Sequence, residues 1–586
     1  MAPDNFIEVS FEVSNKVGGI YQVLKSKSTK MKDYYGEGYL AVGFYNEENA
    51  MSDFAPREEN PYSYIFEELE EELGIECHYG VWNIKGSPRT ILIDVENSDI
   101  DVNEIKSRLW EEYGIDSMNA GNDFDEPLKW SYAVGKLIDK LDHKLEGETV
   151  TQLHEWLSAP AMFETDVPTV FTTHATVLGR ALSNSDYDLK AAVERGSVDQ
   201  SKAEEFGVKT KHQMEKTAAE EADVFTTVSN TTGREASAVL RVEPDKILPN
   251  GFNVEEFPSL EELSYQHTRK KKEVIEFLRA YFKPYYDVEL ESDPRILFIS
   301  GRYEFHNKGI DTFIDALADL NEEEGEDFFV FFFVPSDVKG EKLEVLENVS
   351  LYEELEDHIE DAVPEIKSSI LDSVTSGEDP LESMEDVFNS RSPQIKSLER
   401  NFRAKKGQKP PMSAFDLNYD NDDILERLYE KGLRNRESDR VKVVFYPTYL
   451  SVGDKLLSMS YNDAMVASSA GIFPSYYEPW GYTPVETAAN GALSVTTDLA
   501  GFGKFLKEKT DSEERKGIRV IERDGKNDRE ATEKLADTIR EIVQFSKTEI
   551  TERKHNARKL AQMTSWEKLG KNYKEAHQMA MKNDKD

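Results

Sequence analysis

Short, continuously apolar runs alternate along this chain with longer stretches whose apolar residues recur at helical spacing. Runs that are apolar at both alternate positions are typical of parallel strands buried on both faces of a sheet. In the first half we predict strands at residues 6–13, 39–44, 90–95, 169–173 and 224–228. Together with the helices predicted between them, this rhythm indicates a doubly wound sheet.

The same rhythm begins again in the second half, with predicted strands at residues 295–300, 328–334, 441–446, 471–475 and 492–497. Two such sets predict an α/β protein in which two Rossmann-like domains face each other across a cleft. We place the first domain at residues 1–255 and the second at 256–500. Residues 501–586 form a C-terminal helical region, and its last amphipathic helix is expected to cross back onto the first domain.

A long charged segment, residues 339–439, interrupts the second set of strands and carries helical patterning. It is too long for an ordinary connection between a strand and a helix. Two interpretations remain open: a helical insertion that mediates oligomerisation, and a solvated helical hairpin that packs only on its own domain.

Composition excludes several classes of protein. The chain has 586 residues, 38% of them hydrophobic, and a single cysteine, which supports large cores and rules out a disulfide scaffold. There is no run of about 18 apolar residues and no signal-peptide pattern at the N-terminus. We expect a cytoplasmic protein without a membrane-spanning segment.

The charge balance is strongly acidic: 114 Asp and Glu against 71 Lys and Arg give a formal net charge of −43. Such a surface repels nucleic acid and anionic membranes, so neither is an expected partner. We favour a halophilic host, because molar salt shortens the Debye length to about 3 Å and screens the self-repulsion. The alternative is an ordinary acidic enzyme with an acidic insert.

The first motif with chemical potential is Lys16-Val-Gly18-Gly19, which follows a predicted strand and precedes a helix. Paired glycines at a helix N-terminus let backbone N–H groups approach an anion, and the lysine favours phosphate. The alternative is a simple tight turn.

The second motif, from Arg302 to Lys308, follows the strand predicted at 295–300 and so lies where open α/β sheets bind ligands. Two cations together in so acidic a chain predict an anionic partner such as a diphosphate. The alternative is a surface ion pair between Arg302 and Glu304.

The third motif is the most specific: Glu478 and Glu486 lie eight positions apart across a glycine turn. Pro484 suits the first turn of a helix, so the amides of Gly481, Tyr482 and Thr483 are expected to face an anion. Aromatic residues and prolines packed around a carboxylate, Trp480 among them, favour a binding site over an exposed loop.

These motifs resemble a known family. The segments FEVSNKVGGIYQVLKSK, LHEWLSAPA, FTTHATVLGRAL, PNGFN, SGRYEFHNKGID, DRVKVVFYPTYLS and FPSYYEPWGYTPVETAANG are similar, in order, to segments of the glycogen synthases of animal and fungal type, glycosyltransferase family three. The resemblance implies the GT-B fold and retaining transfer of glucose from UDP-glucose to the non-reducing end of an α-1,4-glucan. ADP-glucose, another acceptor, or a catalytically silent glucan-binding subunit remain alternatives.

The resemblance also implies roles for individual residues. Glu478 and His174 would lie at the transferred glucose, while Arg302 and Lys308 would stabilise the departing diphosphate as catalytic residues. Glu486 would accept hydrogen bonds from the donor ribose. Tyr461 would stack on the nucleobase. Three further residues would line the cleft: Glu155, Arg180 and Asn250. No metal ion and no cofactor are expected.

The chain departs from the family pattern near its C-terminus. Eukaryotic members carry an arginine-rich helix that senses glucose 6-phosphate, and here the corresponding stretch, residues 552–562, has fewer arginines. We therefore expect little or no activation by glucose 6-phosphate. The insertion resembles the family's oligomerisation region, which implies a homo-oligomer, with a tetramer as one possibility.

Overall fold

The structure, a computed structural model, describes residues 3–583 apart from 186, 254, 255, 289, 291, 292 and 378. The domain boundary predicted at residue 255 thus lies outside the described residues. Within the described part of the chain, no helix is long and apolar enough to cross a membrane.

The first domain is built on a nine-stranded sheet. Its strands are β1 (Asn5–Val9), β2 (Tyr39–Phe44), β3 (Phe54–Pro56), β4 (Glu76–Trp82), β5 (Arg89–Asp94), β6 (Thr149–His154), β7 (Thr169–Thr173), β8 (Val224–Thr227) and β9 (Lys246–Ile247). They lie in the order β3-β4-β5-β2-β1-β6-β7-β8-β9, and only the pairs β3/β4 and β4/β5 are antiparallel. The sequence pattern missed β6, because this buried strand carries Thr, Gln and His where apolar residues were expected.

Eleven helices of the described chain accompany this sheet. They are α1 (Gly19–Tyr35), α2 (Glu47–Asp53), α3 (Ser63–Leu73), α4 (Val102–Tyr113), α5 (Asn122–Asp142), α6 (Glu155–Ser158), α7 (Val177–Ser183), α8 (Leu189–Glu194), α9 (Lys202–Glu205), α10 (Lys209–Glu221) and α11 (Asn230–Val239). Helices α9 and α10 are separated at Gly207, which has a φ of +67°.

The second domain contains a smaller, wholly parallel sheet. The strands of this half are β10 (Arg295–Ser300), β11 (Phe328–Phe333), β12 (Val338–Glu341), β13 (Phe415–Leu417), β14 (Val441–Phe445), β15 (Ala470–Ile472), β16 (Leu493–Thr497) and β17 (Ile518–Ile521). Six of them pair in the order β14-β11-β10-β15-β16-β17, while β12 and β13 form a separate antiparallel ribbon. Two Rossmann-like domains are thereby confirmed.

The helices of the second half include the predicted insertion and the C-terminal region. They are α12 (Leu260–Phe282), α13 (Ile310–Asn321), α14 (Leu343–Ser376), α15 (Pro380–Lys405), α16 (Asp423–Glu430), α17 (Tyr461–Ala467), α18 (Tyr482–Ala489), α19 (Gly501–Lys509), α20 (Asp528–Gln544), α21 (Lys547–Ala561) and α22 (Trp566–Asn583). The insertion is the hairpin of α14 and α15, which rises from the ribbon β12/β13.

Helix α22 packs on the first sheet rather than on the second. Trp566 and Tyr573 join a buried cluster with Phe6, Val150 and Val170 from β1, β6 and β7. The chain therefore passes between the domains twice, and Phe252 and Ser565 pair where the two passages run side by side.

Each large sheet has one point where the strand order changes direction. In the first sheet β1 lies between β2 and β6, and in the second β10 lies between β11 and β15. Such switch points open crevices at the carboxyl ends of the central strands, where α/β proteins bind ligands. All three sequence motifs begin at these ends.

Candidate active site

Glu478 and Lys308 meet at the carboxyl edge of the second sheet. They follow β15 and β10, which are neighbouring strands, and Lys308 Nζ donates to Glu478 Oε2 at 2.5 Å. The Gly501 N–H donates to the Glu478 carbonyl at 3.0 Å and fixes its backbone. The two side chains are 17% and 16% exposed, so the pair is accessible from the cleft.

Arg302 lies in the same loop as Lys308 but is held less firmly. Its Nη2 pairs with Glu304 Oε1 at 2.9 Å, and the side chain is 60% exposed. The surface ion pair considered as the alternative interpretation is thus present. Because exposed pairs of this kind contribute little, the guanidinium can change partner at small cost.

Arg180 brings a third cation to the cleft from the first domain. Its side chain is exposed, and among the described residues it has no ion pair. The charges of Arg180 and Arg302 both act on the carboxyl of Glu12, whose pKa is nevertheless raised because burial outweighs them. These arginines from the two domains therefore lie near one another.

Glu12 changes the interpretation of the glycine motif. Its Oε2 accepts from the N–H groups of Gly18, at 2.9 Å, and Tyr21, at 2.8 Å. The Gly18 amide, predicted to face phosphate, is thus already bonded to a carboxylate of its own chain. A Cβ at Gly18 would lie 2.8 Å from Glu12 Oε1, so a larger residue would displace this carboxylate, whereas Lys16 and Gly19 are exposed.

Glu155 orders the loop that carries His174. It follows β6 with a φ of +66°, a conformation that costs free energy in a residue other than glycine and is concentrated at functional sites. Its Oε1 accepts from the His174 N–H at 2.8 Å. Burial raises the pKa of this carboxyl to about 7, although the charge of Arg180 and the amide hydrogen bonds oppose the rise.

Two aromatic residues of the glycine turn have their side chains held by contacts within the protein. Trp480 is 3% exposed and packs with Phe502 and Phe505 in a hydrophobic cluster. Tyr482 donates its hydroxyl to the Gly251 carbonyl at 3.0 Å. Since these contacts hold both side chains, the predicted role of the turn in ligand binding depends on its backbone amides.

The turn itself has the geometry expected of a helix start. Gly481 precedes α18 with a φ of +102°, which favours glycine, and Thr483 lies in the first turn. Glu486, one turn further on, has no hydrogen-bond partner for its carboxylate in the described part of the chain. Burial, with a smaller contribution from Glu256, raises its pKa to about 7.

Tyr461 and Asn250 lie close to this second carboxylate and to the interdomain passage. The hydroxyl of Tyr461 is 2.5 Å from Ser300 Oγ at the end of β10. Burial, and to a smaller extent the Glu486 charge, raises the pKa of Tyr461. Asn250 is 4% exposed, and its Oδ1 has no partner among the described residues. A buried polar atom without a partner is rare, and Asn250 Oδ1 is available to a ligand.

Sequence analysis missed the contacts that close the back of the cleft. Tyr477 donates to Glu235 Oε1 at 3.0 Å, and Asn307 Nδ2 donates to Asn184 Oδ1 at 2.6 Å. Each bond joins the two domains. The sequence signal that could have found them is that Tyr477 and Asn307 directly precede Glu478 and Lys308. In the described residues, no group of three or more His, Cys, Asp or Glu is placed to hold a metal ion.

Comparisons with known proteins agree with this architecture. A family model described as glycogen synthase matches residues 8–585. Glycogen (starch) synthase of Neurospora crassa is 33% identical over 590 residues, covering 98% of this chain and 83% of that protein. Isoform 1 of the Saccharomyces cerevisiae enzyme is 32% identical over 607 residues, with 98% and 85% covered.

Among solved structures, the catalytic domain of starch synthase IV from Arabidopsis thaliana, bound to ADP and acarbose, is similar over 99% of both chains. The TM-score is 0.55 at 12% identity, which establishes the common GT-B fold. The family match extends over almost the whole sequence, including all three motifs at the two crevices. The chain therefore belongs to the glycogen synthase family of glycosyltransferases.

Proposed function

We propose that this protein is a glycogen synthase that transfers glucose from UDP-glucose to the non-reducing end of an α-1,4-glucan, with retention of the anomeric configuration. The observation that carries the proposal is the meeting of Lys308 with Glu478 at the crevice, with Arg180 and Arg302 nearby. A diphosphate needs such cations, and a developing positive charge on the sugar needs the carboxylate.

In the proposed reaction, the bond between C1 of glucose and the β-phosphate oxygen breaks while C1 bonds to the acceptor oxygen on the same face. The acceptor hydroxyl gives its proton to the departing phosphate. Lys308, Arg302 and Arg180 stabilise the negative charge that develops on the leaving group. Because side-chain cations perform this role, the proposal requires neither a metal ion nor a cofactor.

Two residues are proposed to bind the nucleotide of the donor. Tyr461 would stack on the base, and Glu486 would accept hydrogen bonds from the ribose hydroxyls. Both contacts are compatible with ADP-glucose, so the two donors must be compared directly.

The decisive experiment measures nucleotide release and glucose incorporation into glycogen by the purified chain in molar KCl, with UDP-glucose and ADP-glucose offered separately. We expect incorporation from UDP-glucose that is lost in Glu478→Gln and kept in Glu513→Gln, an 86% exposed glutamate. Incorporation only from ADP-glucose would overturn the nucleotide assignment. No incorporation from either donor by the folded protein would overturn the acceptor or the catalytic assignment.

A halophilic cytoplasm is the proposed setting, and the support is the net charge of −43. Unfolding followed against KCl concentration should show stability that rises steeply towards molar salt. Full stability in dilute buffer would contradict the proposal.

A homo-oligomer formed through the hairpin of α14 and α15 is also proposed. The support is a set of exposed apolar side chains along it: Ile359 at 47%, Val363 at 53%, Leu371 at 57%, Val374 at 62% and Leu381 at 66%. Sedimentation of the parent and of Leu371→Glu/Val374→Glu in molar KCl tests it. A monomeric parent would favour the solvated hairpin instead.

A further inference from the structure

A buried network of hydrogen-bonded polar side chains lies directly behind His174. His174 Nε2 is 3.0 Å from His154 Nδ1, and His154 Nε2 is 3.1 Å from Glu8 Oε1. Glu8 also forms an ion pair with Lys27, and the side chains of Glu8 and Lys27 are 0% exposed. Three separate elements, β1, β6 and α1, supply these groups, and only the topology of the sheet brings them together.

The other contacts of Glu8 leave it as a hydrogen-bond acceptor. Its second oxygen accepts from the Tyr39 hydroxyl at 2.5 Å. Burial alone would raise the pKa of the Glu8 carboxyl, but the charge of Lys27 and the bonds from His154 and Lys27 outweigh it and lower the pKa to about 2. The group is therefore a carboxylate, which has no proton to donate.

This carboxylate determines where each imidazole proton lies. Since Glu8 only accepts, His154 Nε2 must carry a hydrogen and donate it. Burial lowers the pKa of His154, so the ring is neutral and its Nδ1 is a bare acceptor. His174 Nε2 must then donate to His154 Nδ1, which leaves Nδ1 of His174 without a hydrogen.

Nδ1 of His174, which carries no hydrogen, is the atom of this hydrogen-bonded network that is left for a ligand. In the described part of the chain Nδ1 has no hydrogen-bond partner. Burial, together with the charges of His154, Lys27 and Arg180, lowers the pKa of His174 well below its ordinary value, so Nδ1 stays unprotonated at neutral pH. Hydroxyl groups of a sugar are the donors that such a nitrogen recognises.

We infer that Glu8 and His154 are positioning residues that hold His174 in the Nε2–H tautomer, so that its Nδ1 accepts a hydrogen bond from a hydroxyl of the transferred sugar. The inference rests on the proposed function for the identity of the ligand. The tautomer itself does not depend on activity and can be measured separately.

The first test is the tautomer in the full-length parent labelled with ¹⁵N-histidine. The chain has ten histidines, and His174→Asn identifies the signals of His174 by their loss. We expect its Nε2 at the protonated nitrogen shift and its Nδ1 at the unprotonated shift. A protonated Nδ1, or a rapidly averaged mixture, would overturn the inference even if the enzyme is a glycogen synthase.

The second test separates positioning from a purely structural role with two variants of His154. Leucine removes the acceptor for His174 Nε2–H, whereas the amide oxygen of asparagine can take the place of Nδ1. We expect kcat/KM for the sugar nucleotide to fall roughly tenfold or more in His154→Leu and to recover to within about threefold of the parent in His154→Asn.

Donors with single hydroxyls removed from the glucose complete this test. One deoxy donor should lose much less additional activity in His154→Leu than in the parent, because the hydrogen bond is already absent there. An equal loss for every donor, without recovery in His154→Asn, would overturn the inference. If His154→Leu does not fold, the tautomer in the parent decides alone.

Discussion

The two halves of the cleft hold their charges in different ways. In the first domain Glu155, Glu215 and Glu235 are buried and bind the loop after β7 through the N–H groups of His174, Val177 and Thr176. In the second domain the charged groups form partly exposed ion pairs, Lys308 with Glu478 and Arg302 with Glu304. The buried carboxyls of the first domain fix the shape of the loop, whereas the ion pairs of the second domain can exchange partners. We call the first set the buried half of the site and the second set the exchangeable half.

Burial of the first-domain carboxyls disfavours their charged form, and this is seen in their pKa values. Burial raises the pKa of Glu155 to about 7 and that of Glu215 to about 8, so these groups keep protons near neutrality. The pairs of the second half are partly exposed, and a phosphate oxygen can replace the carboxylate partner of Lys308 or Arg302. We therefore expect the first-domain contacts to stay fixed when ligands bind and the second-domain ion pairs to change partners.

The largest expected effect comes from removing the best-placed cation of the exchangeable half. Lys308→Met should lower kcat/KM for the nucleotide sugar about 10³-fold, because charge on the leaving group loses a direct partner. Steady-state kinetics measures this, with Lys516→Met, at a 55% exposed lysine, as the control. A decrease in kcat/KM of less than tenfold would contradict the proposed role of Lys308 at the phosphates.

Glu486 tests whether the raised pKa of a carboxyl is confined to the first domain, because it lies in the second domain and is only partly exposed. Its pKa of about 7 means that, between about pH 4.5 and 7, the folded state holds a proton that the unfolded state has lost. Stability contributed by this group therefore falls as pH rises through that window.

Glu486→Gln removes this effect, so we expect the variant to be more stable than the parent at pH 8, by on the order of 2 kcal/mol, and equal to it near pH 4. Denaturant unfolding at both pH values measures the difference in the free energy of unfolding. Equal stability at pH 8, with Glu513→Gln as the matched control, would contradict it.

Arg302 sharpens the comparison within the exchangeable half. Arg302 is 60% exposed, and among the described residues Glu304 is its one ion-pair partner. It should therefore contribute less than Lys308, and Arg302→Gln should raise KM for the donor roughly tenfold. Glu304→Gln frees the guanidinium and should change KM by less than about twofold. A larger effect for Arg302→Gln than for Lys308→Met would reverse the proposed ranking.

The smallest effect is expected from glucose 6-phosphate. A cavity of about 520 Å³ between α12 and α21 is lined by several cations, Lys271 and Lys554 among them. Lys271 is already paired with Asp293, and burial together with Lys271 lowers the pKa of Lys554 to about 7. Activity at pH 8 should change less than about twofold with millimolar effector, and many-fold stimulation would contradict the prediction.

The fold was predictable wherever a strand is continuously apolar. Strands 39–44, 169–173 and 295–300 are confirmed with the predicted bounds. The strand predicted at 6–13 ends at Val9, because the chain turns there and brings Glu12 back to the Gly18 amide. Apolar periodicity contains no information about such a turn.

The exchangeable half of the site was predictable because its residues are close in sequence. Lys308 lies six positions after Arg302, and Glu478 to Glu486 is one short segment. The network behind His174 was not predictable in the same way, since Glu8, Lys27 and His154 are far apart in the sequence. Long-range pairing of β1 with β6 joins them, and no local pattern records it.

The position of α22 has a consequence for how the protein is made. A growing chain leaves the ribosome N-terminus first, at a rate of about 5–20 residues per second. Phe6, Val150 and Val170 are covered by Trp566 and Tyr573, which are synthesised last. The first domain therefore cannot be completed during its own translation, and a nonsense mutation just before α22 would damage the oldest part of the chain rather than the newest.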